Sequence, residues 1–341
     1  MKKIILKRSI YIILLLSMVL FICKGLKKDS NNNTNSPYKF SGFYFDTYIE
    51  ITIYDNCNDN IVQGLEDICK KYDNLFSPSI ESSDIFKINS EKKDVTISED
   101  TAYLLSQALI FSDKTNGIID PSINSVYVLW TFSNELADKN NPLPSNEDIN
   151  NALATVDYRN IKVDKYTVSI GENQTINLGF IAKGYITDQI KEYLLSQGID
   201  NALINLGGNV DCIGSPEGKD SYIIGIEKPF DSSEYYCILM IKDKSVVTSG
   251  IYERYLYYNG KYYHHILDKN NGYPIDNNIY SVTVIGDSST ICDGLSTTLF
   301  ALGTKEGLKF LKDNYPDYEC MYILDDYSPV YSSGFEDYLY N

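Results

Sequence analysis

The stretch from Ser245 to Leu311 does most to constrain this chain. It opens with SVVTSGIYERY, runs through YYHHILDKNNGYP, which carries both histidines of the protein, His264 and His265, and closes with SVTVIGDSSTICDGLSTTLFALG. Its last part reads as a β-branched strand from Ser281 to Ile285, a polar turn, and a helix from about Ser288 to Leu302. On that helix Asp293 and Thr297 are four apart, so they project from one face, a turn from each other. A carboxylate and a hydroxyl stacked in this way suit a hard cation that takes oxygen ligands, such as Mg²⁺. The same spacing also serves a capping or solvent-facing pair, and only context separates the two.

Earlier in the chain the periodicities alternate between strand and helix. FDTYIEITIYD (Phe45 to Asp55) alternates like a strand, and a helix follows from about Asp59 to Phe76 with Ile61, Leu65, Ile68 and Tyr72 on one side. Ser77 to Asn89 reads as a loop into a short helical turn, and Glu99 to Asn116 as an amphipathic helix. TNGIIDPSINSVYVLWTF carries the only tryptophan, Trp130; Pro142 and Pro144 mark a loop, and NEDINNALATV reads as helical. A strand pair follows, Ile161 to Val163 and Thr167 to Ile170. INLGFIAKGYITDQIKEYLLSQGI then reads as strand, glycine turn and helix, and NALINLGGNVDCIGS as a second strand ending in Gly207-Gly208. A junction of this kind presents free backbone N–H groups to an anion. Gly179 and Gly184 flank Lys183, which suits a diphosphate cradle, although plain tight turns account for the same glycines. No fixed-period repeat appears, and no linker after residue 37 separates independent domains. The expectation is an α+β protein in which mixed sheets and packed helices form one catalytic unit over residues 38–341.

Composition narrows the function. With 30 tyrosines against 13 phenylalanines the chain is globular in character, since such rings are buried with their hydroxyls bonded. A net charge of −16 leaves no room for a large basic face and argues against a nucleic-acid partner. The seven cysteines include no CxxC pair, so zinc and iron–sulfur spacings are missing. They read mostly as buried thiols, with a Cys57–Cys69 bridge left open.

The N-terminus, MKKIILKRSIYIILLLSMVLFICKGLKKDS, places basic residues before an apolar run from Ile10 to Cys23, shorter than the ~20 residues that span a bilayer. That order is the order of an export signal, which assigns residues 1–28 to a signal peptide or signal-anchor and 29–37 to a polar tether. The protein is expected outside the cytoplasm, on the outer face of the cytoplasmic membrane. Cys23 offers a lipid-anchoring site, but Leu20, Phe21 and Ile22 before it are larger than such a signal takes, and an uncleaved anchor is the rival.

The adjacent His264 and His265 point to opposite faces of a strand, which fits one core histidine and one that meets a phosphate or moves a proton. Lys183 either neutralises a phosphate or is simply solvated, and Gly207-Gly208 either admits a ligand to the backbone or makes a turn.

Taken together and in order, FDTYIEI, SSDIFKIN, GIIDPSINSVYVLW, INLGFIAKGYITDQI, NALINLGGNV, VVTSGIYERY, YYHHILDKNNGYP and CDGLSTTLFALG resemble the ApbE family, the FAD:protein FMN transferases, over about residues 40 to 335. The resemblance implies an ApbE-like, T-fold-related unit that binds FAD with Mg²⁺ and moves the FMN half onto a serine or threonine hydroxyl, releasing AMP. Implied acceptors are exported flavoprotein subunits of ion-pumping redox complexes or other exported reductases, with the membrane met through the N-terminus. The family's metal site falls on Asp293, Thr297 and the Ala182 carbonyl, and its transfer histidine on His265. Asp293 and His265 are thus the implied catalytic residues. Lys183 and Gly184 lie in its A-K-G turn, Gly207, Gly208, Ser249, Gly250 and Tyr252 match flavin-lining positions, and Ser83 and Asn89 match a further segment near FAD. Phe180 stands where the family often has glycine. The residue that takes the acceptor proton stays open between His265 and Asp268. Two alternatives share the resemblance: an FAD pyrophosphatase giving free FMN and AMP, and a surface protein that holds flavin without turnover.

Overall fold

Strands buried on both faces build the main sheet. The computed structural model describes residues 36–132, 135–136 and 143–340; the stretch read above as an export signal, with Cys23, the stretch up to residue 35 read as a tether, and Pro142 lie outside these residues. From Pro37 onward the strands β1 (Tyr38–Tyr44), β2 (Thr47–Ile53), β3 (Ala202–Leu206), β4 (Asn209–Ile213), β5 (Ser245–Gly250), β6 (Ile279–Gly286), β7 (Glu319–Leu324) and β8 (Pro329–Tyr331) form one eight-stranded antiparallel sheet. Their order in space is their order in the chain, and everything else is inserted between them. Register puts like with like: Ile49, Ile51 and Ile53 stand opposite Leu206, Ile204 and Ala202, all fully buried. Val247 faces Val284 across β5–β6 while the next pair, Val246 and Ile285, points the other way.

Both faces are therefore apolar, and both are covered. Helices α1 (Asp59–Phe76), α2 (Asp84–Glu91), α3 (Glu99–Lys114), α4 (Ala182–Ser196) and α5 (Ser289–Asn314) belong to the larger core on one face. On the other face a hairpin, Tyr222–Lys228 and Asp231–Ile241, lays Tyr222, Ile224, Ile226, Leu239 and Ile241 over Cys212, Val246, Met321 and Ile323. A smaller cluster forms around Trp130 and Val126 with Ile149, Leu256 and Leu267, and the Trp130 indole donates to the Gly272 carbonyl at 3.0 Å. Mixed sheets with packed helices make this an α+β fold, as expected.

Local chemistry sets the helix ends. The Asn58 side chain caps α1 by accepting from Asn60 and Ile61, and the buried face runs Ile61, Leu65, Cys69, Tyr72, Phe76. Ser83 caps α2 and Ser98 caps α3. The helix expected to stop near Leu302 breaks at Gly303, whose φ of 75° is left-handed, and resumes to Asn314.

Two expectations give way. Ile176–Gly179 is not a strand: it is an irregular segment zipped to α2, with Asn89 donating to the Ile176 carbonyl at 2.9 Å and accepting from its N–H at 2.7 Å. Gly207-Gly208 leads into β4 and not into a helix. Both glycines have positive φ, 55° and 96°, so the pair makes a two-residue hairpin turn that reverses the chain. A Cβ on Gly207 would also lie 2.2 Å from the Thr47 hydroxyl, whereas one on Gly208 would meet open space. The six described cysteines are free thiols, Cys57 and Cys69 included.

This asymmetry is testable. Gly208→Ala should cost about 1 kcal/mol, the penalty of a left-handed side chain, and Gly207→Ala clearly more, because the clash adds to the strain. Urea unfolding of both variants checks it; equal losses would show that the Thr47 contact relaxes freely.

Candidate functional site

The site grows from the crossing of α4 and α5. Ile181 leads into α4 without any side-chain cap; the Ala182 N–H bonds back to the Leu178 carbonyl at 2.9 Å, and the next N–H groups of the first turn need partners from elsewhere. Gly184 finds one across the crossing: its N–H donates to Asp293 Oδ2 at 2.9 Å. The approach is close enough that a Cβ on Gly184 would sit 2.2 Å from the Ser289 carbonyl oxygen and 2.7 Å from the Asp293 Cβ, so this position must be glycine. Asp293 is 3% exposed. Burial pushes its carboxyl above the usual range, while the Lys183 ammonium, the Gly184 N–H and the Asn209 amide pull it back. Lys183 is in turn held by Asn209, donating to Oδ1 at 3.1 Å.

One turn along α5, Thr297 is half-buried with its hydroxyl 3.3 Å from the Ser249 hydroxyl, which also meets the Ser296 hydroxyl at 2.7 Å. Ser249 ends β5 beside Gly250, whose N–H donates to Glu253 Oε1 at 3.0 Å. Burial raises the Glu253 carboxyl, and Asp293 raises it further, against the opposing charge of Lys183. Tyr252 folds its ring back over Gly250 and meets Phe230 at 5.8 Å between centroids; burial lifts its phenol well above the ordinary value.

The two histidines divide. His264 is buried against Phe300, and its ring is fully used: Nδ1 accepts from the Ile266 N–H at 3.3 Å, so Nε2–H donates to the Ile275 carbonyl at 3.0 Å. Burial lowers its pKa to about 4. His265 follows the end of the Lys261–His264 strand and is only half-buried. Its Nδ1 lies 3.2 Å from the Arg254 carbonyl, which assigns the proton to Nδ1 and leaves Nε2 an acceptor. Burial first, then His264, Arg254 and Lys183, lower it to about 3, so the ring is neutral at pH 7.

The structure thus bonds Gly184 directly to Asp293, places the Lys183 ammonium where its charge acts on that carboxyl, joins Thr297 to Ser249, and ties the Gly207-Gly208 turn to Lys183 through the neighbouring Asn209. Ala182 is the first residue of α4, two before Gly184. Ser83 and Asn89 make their bonds elsewhere, Ser83 as the cap of α2 and Asn89 on Ile176. Asp268 is taken up by its own turn, accepting from Asn270 and Asn271. Three participants have no signature in the sequence: Asn209 on Lys183, Glu253 on Gly250, and Asp188, which binds the start of α5. Among the described residues no cluster of three or more His, Cys, Asp or Glu is arranged to hold a metal. A polar cleft of about 610 Å³ opens beside α4, lined by Lys71, Asp100, Tyr185, Asp188 and Thr290 among others, but by none of Lys183, Asp293, Thr297 or His265.

Comparison with known proteins places this arrangement. The sequence model described as the ApbE family matches residues 45–322. An FAD:protein FMN transferase of Klebsiella pneumoniae is 32% identical over 305 residues, 88% of this chain and 93% of that protein. Another of the same name, from Treponema pallidum, is 30% identical over 252 residues, 69% and 68% of the two chains. Among solved structures, the ApbE protein of Thermotoga maritima superposes with a TM-score of 0.81 at 30% identity, covering 90% of this chain and all of that one. The flavin transferase ApbE of Vibrio cholerae gives 0.78 at 25% identity over 89% and 99%.

The histidine environments predict a pH response. Both rings are neutral when folded and ionise near pH 6.5 when unfolded. The unfolded chain therefore binds more protons as pH falls, and stability should drop from about pH 6.5 down toward pH 4 for His264 and pH 3 for His265, by up to about 1.4 kcal/mol per pH unit for each ring. Denaturant midpoints at pH 7 and pH 5 for wild type and His264→Gln check this: the variant should lose less on acidification, and an equal loss would contradict the tautomer and burial assigned to His264.

Proposed function

The chain belongs to the ApbE family, and from that premise we propose that it transfers the FMN half of FAD to a serine or threonine hydroxyl of an exported redox protein, releasing AMP, with Mg²⁺ as its cofactor. The observation that carries this reading is the meeting of Lys183, the first turn of α4, Asp293 and Thr297 at one helix crossing. A helix start beside a lysine suits a diphosphate, because N–H dipoles and an ammonium both face the anion.

The donor set fits the metal. Asp293 is a buried carboxylate whose ionised form is disfavoured by burial, so a cation beside it is stabilising, and the Thr297 hydroxyl one turn along α5 supplies a second oxygen donor on the same helix face. Asp293, Thr297 and the Ala182 carbonyl would hold Mg²⁺, which when bound neutralises charge on the diphosphate.

The remaining work falls to the protein. Lys183, fixed by Asn209, and the positive end of the α4 dipole attract the phosphates and stabilise the charge that grows as the bond to AMP lengthens. The acceptor oxygen bonds to the FMN phosphorus, the P–O bond to AMP breaks, and AMP leaves with that electron pair. His265 presents Nε2 as an acceptor and can hold the attacking hydroxyl in line; its low basicity makes orientation its main contribution, and the hydroxyl proton passes to solvent water late in a loose transition state. Tyr252, Gly250 and the Gly207-Gly208 turn would line the flavin. With the N-terminal segment read as an export signal or anchor, the reaction takes place outside the cytoplasm, at the membrane.

The test combines two products. The full chain is incubated with FAD, Mg²⁺ and an exported flavoprotein subunit, and AMP release is followed with the mass of the acceptor. AMP together with a gain of one FMN on the acceptor is the expected result. AMP with free FMN would favour the pyrophosphatase, and bound FAD without AMP would leave a flavin-holding protein. Asp293→Ala should lower Mg²⁺-dependent AMP release by about 100-fold or more while the protein still folds; a fully active variant would remove Asp293 from the metal site.

A further inference from the structure

Asp188 lies one turn after Gly184 on α4, on the same side of the helix, and it faces the first residues of α5. Its carboxylate accepts four hydrogen bonds there: Oδ1 from the Ser289 N–H at 2.8 Å, and Oδ2 from the Thr290 N–H at 2.9 Å, the Thr290 hydroxyl at 2.6 Å and the Ser288 hydroxyl at 2.8 Å. Helix α5 has a cap of its own, but a poor one: the Ser288 hydroxyl is 3.4 Å from the Ile291 N–H. The start of α5 is therefore held mainly by a side chain from α4.

The exchange is mutual. Asp188 of α4 caps α5, and Asp293 of α5 accepts from the third residue of α4. Gly184 and Asp188 are four apart on one helix, Ser289 and Asp293 four apart on the other, and the contacts run in opposite directions along the two axes.

We propose that Asp188 is a positioning residue of the site: by capping α5 across the helix crossing it sets the place of Asp293 beside Gly184 and Lys183. It touches neither phosphate nor acceptor and acts through Asp293. The kinetic part of this claim rests on the FAD-cleaving activity proposed above; the structural part does not.

Cys292 supplies the reporter, because it precedes Asp293 and is fully buried, as are Cys69, Cys212 and Cys320 at other places in the core. In the full chain carrying Asp188→Ala, native-state alkylation mapped by peptide mass spectrometry should modify Cys292 about tenfold faster or more, with the other three buried thiols unchanged. AMP release from FAD should lose about 100-fold in kcat, as a displaced reacting group does, with KM for FAD within about threefold. Asp188→Asn, which retains one acceptor oxygen, should recover part of both effects. Should Asp188→Ala fail to fold, Thr290→Val removes one of the four bonds and should shift both readouts in the same direction by less. Cys292 reacting at the wild-type rate would overturn the proposal, and so would faster Cys292 labelling with unchanged kcat. Four thiols accelerating together would reduce Asp188 to a contributor to global stability and also overturn it. A wild type that releases no AMP would sink the proposed function instead, and the thiol pattern would still decide the role of Asp188.

Discussion

Two helices that cap each other are the constraint on which the rest of this structure depends. Each α-helix begins with N–H groups that its own backbone cannot satisfy. Here the first turn of α4 gives one to Asp293 and the first turn of α5 gives two to Asp188. Such an exchange requires the axes to come very close, and Gly184 permits it by having no side chain to place against Ser289. The same closeness buries Asp293, whose charge is then costly unless a cation stands by; Lys183 is that cation in the protein itself. In the function proposed above, stability and reactivity have one origin, since the carboxylate that completes a helix start is also the one proposed to hold the metal.

The sheet fixes the crossing in place. Lys191, further along α4, pairs with the fully buried Asp211 on β4 at 3.0 Å, and Asp211 also accepts from the Ser245 hydroxyl at the start of β5. Burial raises the Asp211 carboxyl and Lys191 opposes that shift, as expected for an ion pair whose charges must be kept together. Helix α4 is thus bonded to β4, which is bonded in turn to β5, and α5 follows directly from β6. Because all eight strands follow in chain order, the segments that contribute to the site — the start of α4, the turn before β4, the end of β5 and the start of α5 — come from neighbouring parts of one sheet and the helices on it.

Much of this was legible in the residues alone, where the signal is local. The spacing of Ile61, Leu65 and Tyr72 marks α1, alternation marks β2, and the Asp293–Thr297 step marks one face of α5. What was not legible depends on pairing at a distance. Gly207-Gly208 serves a hairpin or a helix start equally well, and the buried Asn209 and Asp211 of β4 blur the apolar alternation that would have chosen the hairpin. Asp188 and Ser288 are one hundred residues apart, so no spacing rule links them. The adjacency of His264 and His265 suggested a division of labour, but only the carbonyls of Ile275 and Arg254 show which ring is locked into the core and which keeps a free nitrogen.

The central claim is that the phosphates and the cation gather where α4 and α5 cap one another. A crystal structure of the full chain with FAD and Mn²⁺, the ion located by its anomalous signal, tests it most directly. The account predicts the ion against the Asp293 carboxylate and the Thr297 hydroxyl, with the diphosphate over Lys183 and the first turn of α4. An ion seated in the polar cleft beside Lys71 and Asp100, or a diphosphate lying away from Lys183, would contradict it.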